Sequence, residues 1–252
     1  MALTEYPPEV KEIFKKTKIV VLVPVFDKPD YRFMMSLVNL VGHSTQMGVG
    51  FIGMAVAHRS KTVGARNRLM EAALATKDAT HFLWIDDDHI FGANILCNLL
   101  ARGKDYIVPL AFQKLPPHYP VIYRVTPDNK NLYNAYVKWP KAIFRVDGAG
   151  FGMVLMSRKV AEQVKRPYFE EKTGEYGQDL HFCSKMRDLG IQMFCDGTQN
   201  ILHIGYTPDA YGEADFMKYQ AEELKKVNDY FKKDPKSNNE EGQGLEVGNV
   251  LV

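Results

Sequence analysis

An apolar strand that runs straight into three consecutive carboxylates constrains this chain more than any other feature. Residues 81–89 read His-Phe-Leu-Trp-Ile-Asp-Asp-Asp-His. Phe82, Leu83, Trp84 and Ile85 show no polar alternation, so a strand here must be covered on both faces, as in the parallel sheet of an α/β fold. Open sheets of that kind bind ligands beyond the carboxyl ends of their strands, and there the chain places Asp86, Asp87 and Asp88. Such a density of negative charge is costly unless a cation sits with it. The reading is a divalent-metal site gripping a phosphorylated substrate. The competing reading, a solvated acidic turn or a helix cap before Ala93, suits a lone Asp-any-Asp better than one carried on a fully apolar strand.

The rest of the chain supports that frame. Residues 18–26 (KIVVLVPVF) form a second buried run and 49–57 a further strand. Between them, residues 30–42 place Phe33, Leu37 and Leu40 at helical spacing. Thr62 can cap a helix running to about Thr76. Residues 93–102 predict a short helix closed by Gly103, and 105–112 a strand. The order β-α-β-α-β-α-β predicts an α/β/α sandwich on a mainly parallel mixed sheet. Residues 113–141 are rich in proline, tyrosine and asparagine and predict an irregular or hairpin insertion over the cleft. Strands at AIFRV and FGMVLM, a helix over 178–189 closed by Gly190, and a strand at IQMFC complete the pattern, and the sheet pattern stops after about Asp209. The expected organisation is an N-terminal extension (1–17), one α/β domain (18–210), an amphipathic C-terminal helix (211–233) and a polar, mobile tail (234–252).

Composition excludes several classes. The 252 residues are 46% hydrophobic and 25% charged, with a net charge of +2, so no global field marks a nucleic-acid or membrane-surface binder. Cys97, Cys183 and Cys195 lack zinc-ligand spacing and read as reduced core thiols, which suits a cytoplasm. No stretch reaches the roughly 18 apolar residues of a membrane span, and the N-terminus does not read as a signal peptide.

Several further residues carry chemistry. On an extended backbone Asp86 and Asp88 face the same side, with Asp87 opposed. In Gly177-Gln178-Asp179-Leu180, Asp179 opens a helix whose Leu180, Cys183, Met186 and Leu189 pack inward; it is either a cap or a general base at the cleft floor. His203 follows the last strand and is either a satisfied core histidine or a ligand returning to the cleft, where an imidazole favours manganese over magnesium. Arg66 and Asn67 lie in the first turns of the helix from Thr62, whose positive end suits anions, and Arg59 and Lys61 add charge nearby. The bland role of Arg66 is a surface pair with Glu71. Gly148, Ala149 and Gly150 join two strands with minimal side chains, which permits close approach of a ligand or makes a turn.

Four elements in this order (VPVFD, Ala65-Arg66-Asn67, FLWIDDD, and the series GAGFGMVLMSR, GQDLHFCSKMRDLG, HIG) resemble the GT-A glycosyltransferases, family-2-like and of the viral or phage type, over about residues 18–206. The resemblance implies a Rossmann-like α/β/α enzyme using a nucleoside-diphosphate sugar, most readily a UDP-sugar, with Mn2+ or Mg2+. It implies that Pro24, Val25, Phe26 and Asp27 line the nucleotide pocket, that Arg66 and Asn67 touch base or phosphates, and that Asp86 and Asp87 lie at the donor, with Asp86 near the ribose. Asp88, with Asp86 and His203, would hold the metal. Gly148, Ala149 and Gly150 would flank the donor sugar. Asp179 matches the second acid of the family's Glu-Asp pair and would be the base of an inverting reaction, whereas the first acid is Gln178 here. The implied reaction is hexosyl or pentosyl transfer. The acceptor would be a saccharide or protein, or a hydroxymethylated phage DNA base, with the host cytoplasm as the setting if the chain is phage-encoded. Lys114, His118, Tyr119, Tyr123, Arg124, Tyr133, Tyr136, Lys138 and Trp139 of the insertion would meet it. The rivals are a sugar nucleotidyltransferase, whose Gly-rich loop is missing after Phe26, and a non-catalytic nucleotide-sugar or carbohydrate binder.

Overall fold

The computed structural model describes residues 6–58, 62–171, 177–205 and 209–233. Arg59, Lys61, Tyr206, residues 172–176 and the tail from 234 lie outside the described residues. The chain opens with α1 (Pro8–Lys16), β1 (Lys18–Val25), α2 (Tyr31–Gln46), β2 (Gly50–His58), α3 (Thr62–Ala75) and β3 (His81–Ile85). After the acids come β4 (His89–Ile90), α4 (Ile95–Ala101), β5 (Tyr106–Leu110), and the hairpin β6 (Ile122–Thr126) and β7 (Asn129–Ala135). Next are β8 (Ile143–Val146), β9 (Gly148–Ala149), β10 (Met153–Ser157), α5 (Arg158–Ala161) and α6 (Gln178–Asp188). The last are β11 (Met193–Asn200), β12 (Leu202–Ile204), β13 (Ala210–Tyr211) and α7 (Glu213–Lys233).

Seven strands form the central sheet in the order β2-β1-β3-β10-β5-β11-β8. Strands β2, β1, β3, β5 and β11 run one way, and β10 and β8 the other. The apolar runs read from sequence are apolar because both faces are covered. In β1, Val20 and Leu22 join one core while Ile19, Val21, Val23 and Val25 join the other. In β3, Phe82 and Trp84 face the first core and Leu83 and Ile85 the second. Helices α3 and α6 supply Ala65, Leu69, Met70, Phe182 and Met186 to the first; α1, α2 and α4 supply Phe14, Phe33, Leu37, Leu40, Leu96 and Leu99 to the second. Each such buried aliphatic or aromatic side chain contributes about 1.5–3 kcal/mol.

Local signals set several boundaries. Asp30 caps α2, its side chain accepting from the Arg32 N–H. Gly103 (φ +59°) and Gly190 (φ +71°) take up left-handed backbone just past α4 and α6. Residues 8–16, read as part of an extension, form α1: Pro8 opens it and Phe14 anchors it in the core. The sheet pattern does not stop at Asp209, since β13 pairs with β12, which pairs with β4. The insertion contains the expected hairpin, and β6 also pairs with β9. The first turn of α7 is tied down by an ion pair between Lys141 and Glu213. Phe216 is buried among Phe112, Tyr119 and Trp139. All three cysteines are buried and free. Among the described residues, no helix is long and apolar enough to cross a membrane.

Candidate active site

The three aspartates leave the end of β3 and point into different surroundings. The Asp86 N–H donates to the Gly152 carbonyl (3.0 Å), which pins the first acid beside the start of β10. Both Asp86 carboxylate oxygens accept from Arg66 Nη2, at 3.1 and 3.0 Å. Arg66 Nη1 donates to Asp179 Oδ1, so one guanidinium bridges two acids that lie 93 positions apart in the chain. Arg66 is 3% exposed, and its guanidinium carbon lies 5.1 Å from the ring centroid of Phe151 and 5.8 Å from that of Phe169. Those rings pack edge-on to Trp84. An aromatic floor thus carries a buried cation that fixes both carboxylates.

This geometry corrects the reading of Arg66 as a clamp on pyrophosphate or base edge: the side chain lies beneath the cleft, occupied by Asp86 and Asp179. Its bland alternative fails as well, because Glu71 pairs with Arg166 (3.1 Å). Asn67 is corrected too. Its amide donates to the Val63 and Phe169 carbonyls and accepts from the Tyr168 and Phe169 N–H groups, so it fastens a neighbouring loop and leaves nothing for a nucleotide. Replacing Arg66 with methionine leaves two carboxylates facing each other over an apolar floor. Because both are partly exposed, the expected loss is discounted to about 2 kcal/mol from that of a fully buried broken pair. Denaturant unfolding measures it, and an unchanged midpoint would show that Arg66 is not holding the acids.

Asp179 does not cap its helix. The cap residue of α6 is Gly177, while Asp179 Oδ2 accepts from the Phe151 N–H (3.1 Å). Burial raises its carboxyl above the usual aspartate range; Arg66 pulls it down and Asp86 pushes it further up. With Val121, Tyr123, Gly150, Glu171, Gln178 and Leu180 it lines a cavity of about 300 Å³. Gln178 Oε1 is buried there without a hydrogen-bond partner.

A second cavity of about 180 Å³ is lined by Pro24, Val25, Phe26, Ala57, Thr62, Ala65, Asp86, Asp87 and Asp88. The structure therefore brings three of the four expected nucleotide-pocket residues together with the acids. Asp27 is exposed and does not line this cavity. Burial, with Asp88 and Asp86 close by, pushes Asp87 up to about 6. Gly148 and Ala149 do not face the cleft either. A side chain at Gly148 would strike Leu180 (2.7 Å) and Tyr133 (2.8 Å), and Ala149 is buried with its N–H towards Cys183 Sγ (3.4 Å). Only Gly150 of that trio borders a cavity, with Val121 at 3.1 Å from where its Cβ would be.

Asp88 gathers the rest of the site. One donor atom from each of Asp88, His89 and His203 lies within 4.8 Å of the others. His203 and His89 are register partners across the β12–β4 pair, and their rings stack at 4.3 Å. Asp88 Oδ2 faces His203 Nε2 (3.3 Å) and Lys114 Nζ (2.6 Å). Burial works against ionisation of Asp88, but the contacts with His203 and His89 outweigh it and hold the carboxyl well below its usual range. Asp86, expected as a metal ligand, lies outside this group, its oxygens engaged by Arg66. His89 does belong, although in sequence it closed the motif without a role. A side chain on Gly152 would meet the His89 ring at 2.7 Å, so that glycine makes room for the histidine.

The donor set fits a divalent ion. The Phe112 carbonyl lies 2.7 Å from His203 Nδ1 and can only accept, so Nδ1 carries a proton and Nε2 is the ring nitrogen turned towards Asp88, the one that would ligate an ion. His89 Nδ1 is buried 3.0 Å from Asp88 Oδ1 yet has no hydrogen-bond partner. Two ring nitrogens converging on a carboxylate make a donor set for a cation that takes the place of their protons.

No family model and no curated protein matches the chain. Solved structures do. The crystal structure of A197 from STIV is 16% identical, with 75% of this chain and 85% of that one covered and a TM-score of 0.53. The crystal structure of GalNAc-T7 with UDP, GalNAc and Mn2+ is 13% identical, with 75% of this chain covered and a TM-score of 0.51. The match covers 43% of that protein. At such identities the likeness is one of fold. The chain has the GT-A-like α/β/α architecture on a mainly parallel mixed sheet.

Proposed function

We propose that the chain is a metal-dependent glycosyltransferase that moves a sugar from a nucleoside-diphosphate sugar, a UDP-sugar in the first instance, to an acceptor hydroxyl with inversion. One observation carries the reading. At the carboxyl end of β3, Asp88 with His89 and His203 forms a cation donor set, and two residues earlier Asp86 shares the Arg66 guanidinium with Asp179, a carboxylate whose proton affinity is raised. The fold shared with GalNAc-T7, crystallised with UDP, GalNAc and Mn2+, supports the choice of donor class. Two imidazoles favour manganese over magnesium.

Asp88, His89 and His203 would hold the ion, which supplies positive charge against the leaving diphosphate. Phe26, 76% exposed at the lip, offers an aromatic face to the base, while Pro24 and Val25 wall the pocket. Asp86, held by Arg66, stands on the ribose side. In the reaction the acceptor oxygen bonds to the anomeric carbon as the bond to the diphosphate breaks. The hydroxyl proton passes to Asp179, and the nucleoside diphosphate leaves with the bonding pair. Arg66 acts by positioning both acids. Gln178, in place of an acid, has a free carbonyl oxygen with which to accept a hydrogen bond from the acceptor. The acceptor cavity carries Glu171 and Asp179 and no cation among its described lining, so an uncharged saccharide or protein hydroxyl fits it better than a phosphate-flanked DNA base.

The test is incubation with a panel of nucleoside-diphosphate sugars, with and without Mn2+, followed by mass spectrometry. The expected result is manganese-dependent release of nucleoside diphosphate from one donor. Release of pyrophosphate from a nucleoside triphosphate and a sugar phosphate, with every nucleotide sugar left intact, would mark a nucleotidyltransferase and sink the reading.

A further inference from the structure

Lys114 reaches the carboxylate that the proposed function gives to a metal ion. Its ammonium is 2.6 Å from Asp88 Oδ2, the oxygen that also faces His203 Nε2. This is no loose surface contact, because the side chain is 28% exposed and its loop is built. The Gln113 N–H donates to the Tyr119 carbonyl (3.0 Å), Val121 N–H to Ala111 (2.9 Å) and His118 N–H to Leu115 (2.9 Å). The His118 ring stacks on Tyr211 at 4.5 Å. The same stretch supplies the Phe112 carbonyl that sets the His203 tautomer. One loop therefore contributes both a device that readies a metal ligand and a cation that competes for the carboxylate.

An ammonium and a divalent ion cannot share one carboxylate oxygen without strong repulsion. We propose that Lys114 is the internal counter-cation of Asp88, that an entering divalent ion displaces it, and that the displaced ammonium then binds the diphosphate of the donor. The inference rests on the reading of Asp88, His89 and His203 as metal ligands. The lysine stem has four carbons and the ammonium three rotatable donors, so the exchange needs a side-chain swing and no rebuilding of the loop. Its consequence is an order of loading: the ion alone meets resistance from Lys114, whereas the ion together with a diphosphate gives the ammonium a new anion. The two ligands then strengthen each other's binding by the same factor.

The experiment is calorimetric titration of Mn2+ alone into the wild-type, Lys114→Met and Lys114→Arg proteins, followed by titration of UDP into each manganese-saturated protein. Lys114→Met is expected to bind Mn2+ about tenfold more tightly and UDP about tenfold more weakly, as loss of one partly buried charge at each step implies. Lys114→Arg, which keeps the charge, should restore both towards wild type and thereby separate charge from packing. Equal or weaker Mn2+ binding by Lys114→Met overturns the inference. If that binding is still abolished by Asp88→Ala, the metal reading stands without it. Tighter Mn2+ with unchanged UDP overturns the diphosphate contact. No Mn2+ binding by any of the three overturns this inference together with the metal reading.

Discussion

Asp179→Asn is expected to bind the nucleotide sugar as wild type does and to transfer it about 10²–10⁴-fold more slowly, the usual contribution of a positioned general base. Asparagine keeps the size of the side chain and one acceptor oxygen, enough for either the Phe151 N–H or Arg66, which hold separate oxygens of the native carboxylate, so the unfolding midpoint of the variant is measured alongside. What it cannot do is receive the acceptor's proton. The pH profile gives a second, independent reading. Only the ionised carboxylate is a base, so activity falls as pH drops through the folded-state pKa of Asp179. Burial raises that value, so the acid limb of kcat/KM should lie above the range of an ordinary aspartate and be missing from the residual activity of the variant. Donor calorimetry with single-turnover rates checks the split. Transfer at the wild-type rate would remove Asp179 as the base.

The Asp88→Ala protein should lose manganese affinity by at least about 100-fold, since a ligand is worth no less than the outer partners that orient it, and with it the metal-dependent part of donor binding. Asp86→Ala is the informative partner experiment. In an Asp-any-Asp site both acids meet the ion, and both variants would fail alike. Here the Asp86 oxygens are taken by Arg66 and the proposed ligands are Asp88, His89 and His203, so Asp86→Ala should keep its manganese affinity while losing stability. Manganese titration of the two variants decides the matter. Equal loss in both would restore the pair of aspartates as the metal site and remove His89 from it.

How far the residues could be read without coordinates varied with the range of the interaction. The central strands were legible because Val20 and Leu22 on one face, and Val21 and Val23 on the other, all have to be apolar when both faces are covered. Helix α3 was legible from spacing, whereas the hairpin over 122–135 was only one of two readings, irregular or hairpin, of the 113–141 insertion. Individual contacts were not. Asn67 follows Arg66 in sequence, but one helical step turns it away from Arg66's acids towards the 168–169 loop. Gly148 and Gly150 look alike in a string, whereas pairing of β9 with β6 turns one onto Leu180 and leaves the other at the cleft. His89 belongs to a two-residue strand, too short for any periodicity, and its role appears only when β12 lays His203 opposite it. Lys114 was visible as a basic residue of the insertion, but its reach to Asp88 depends on how that loop folds back.

The shared guanidinium has a consequence for descent. A relative that lost either acid would be left with unbalanced charge on an aromatic bed, and one that lost the arginine would set two anions against each other, so the trio is expected to drift as one inherited character. Arginine a turn into the helix after the second strand, aspartate just past the third, and aspartate second in α6, the second helix after the Gly-Ala-Gly-Phe-Gly stretch, together make a fingerprint for finding remote kin whose overall identity has decayed into noise.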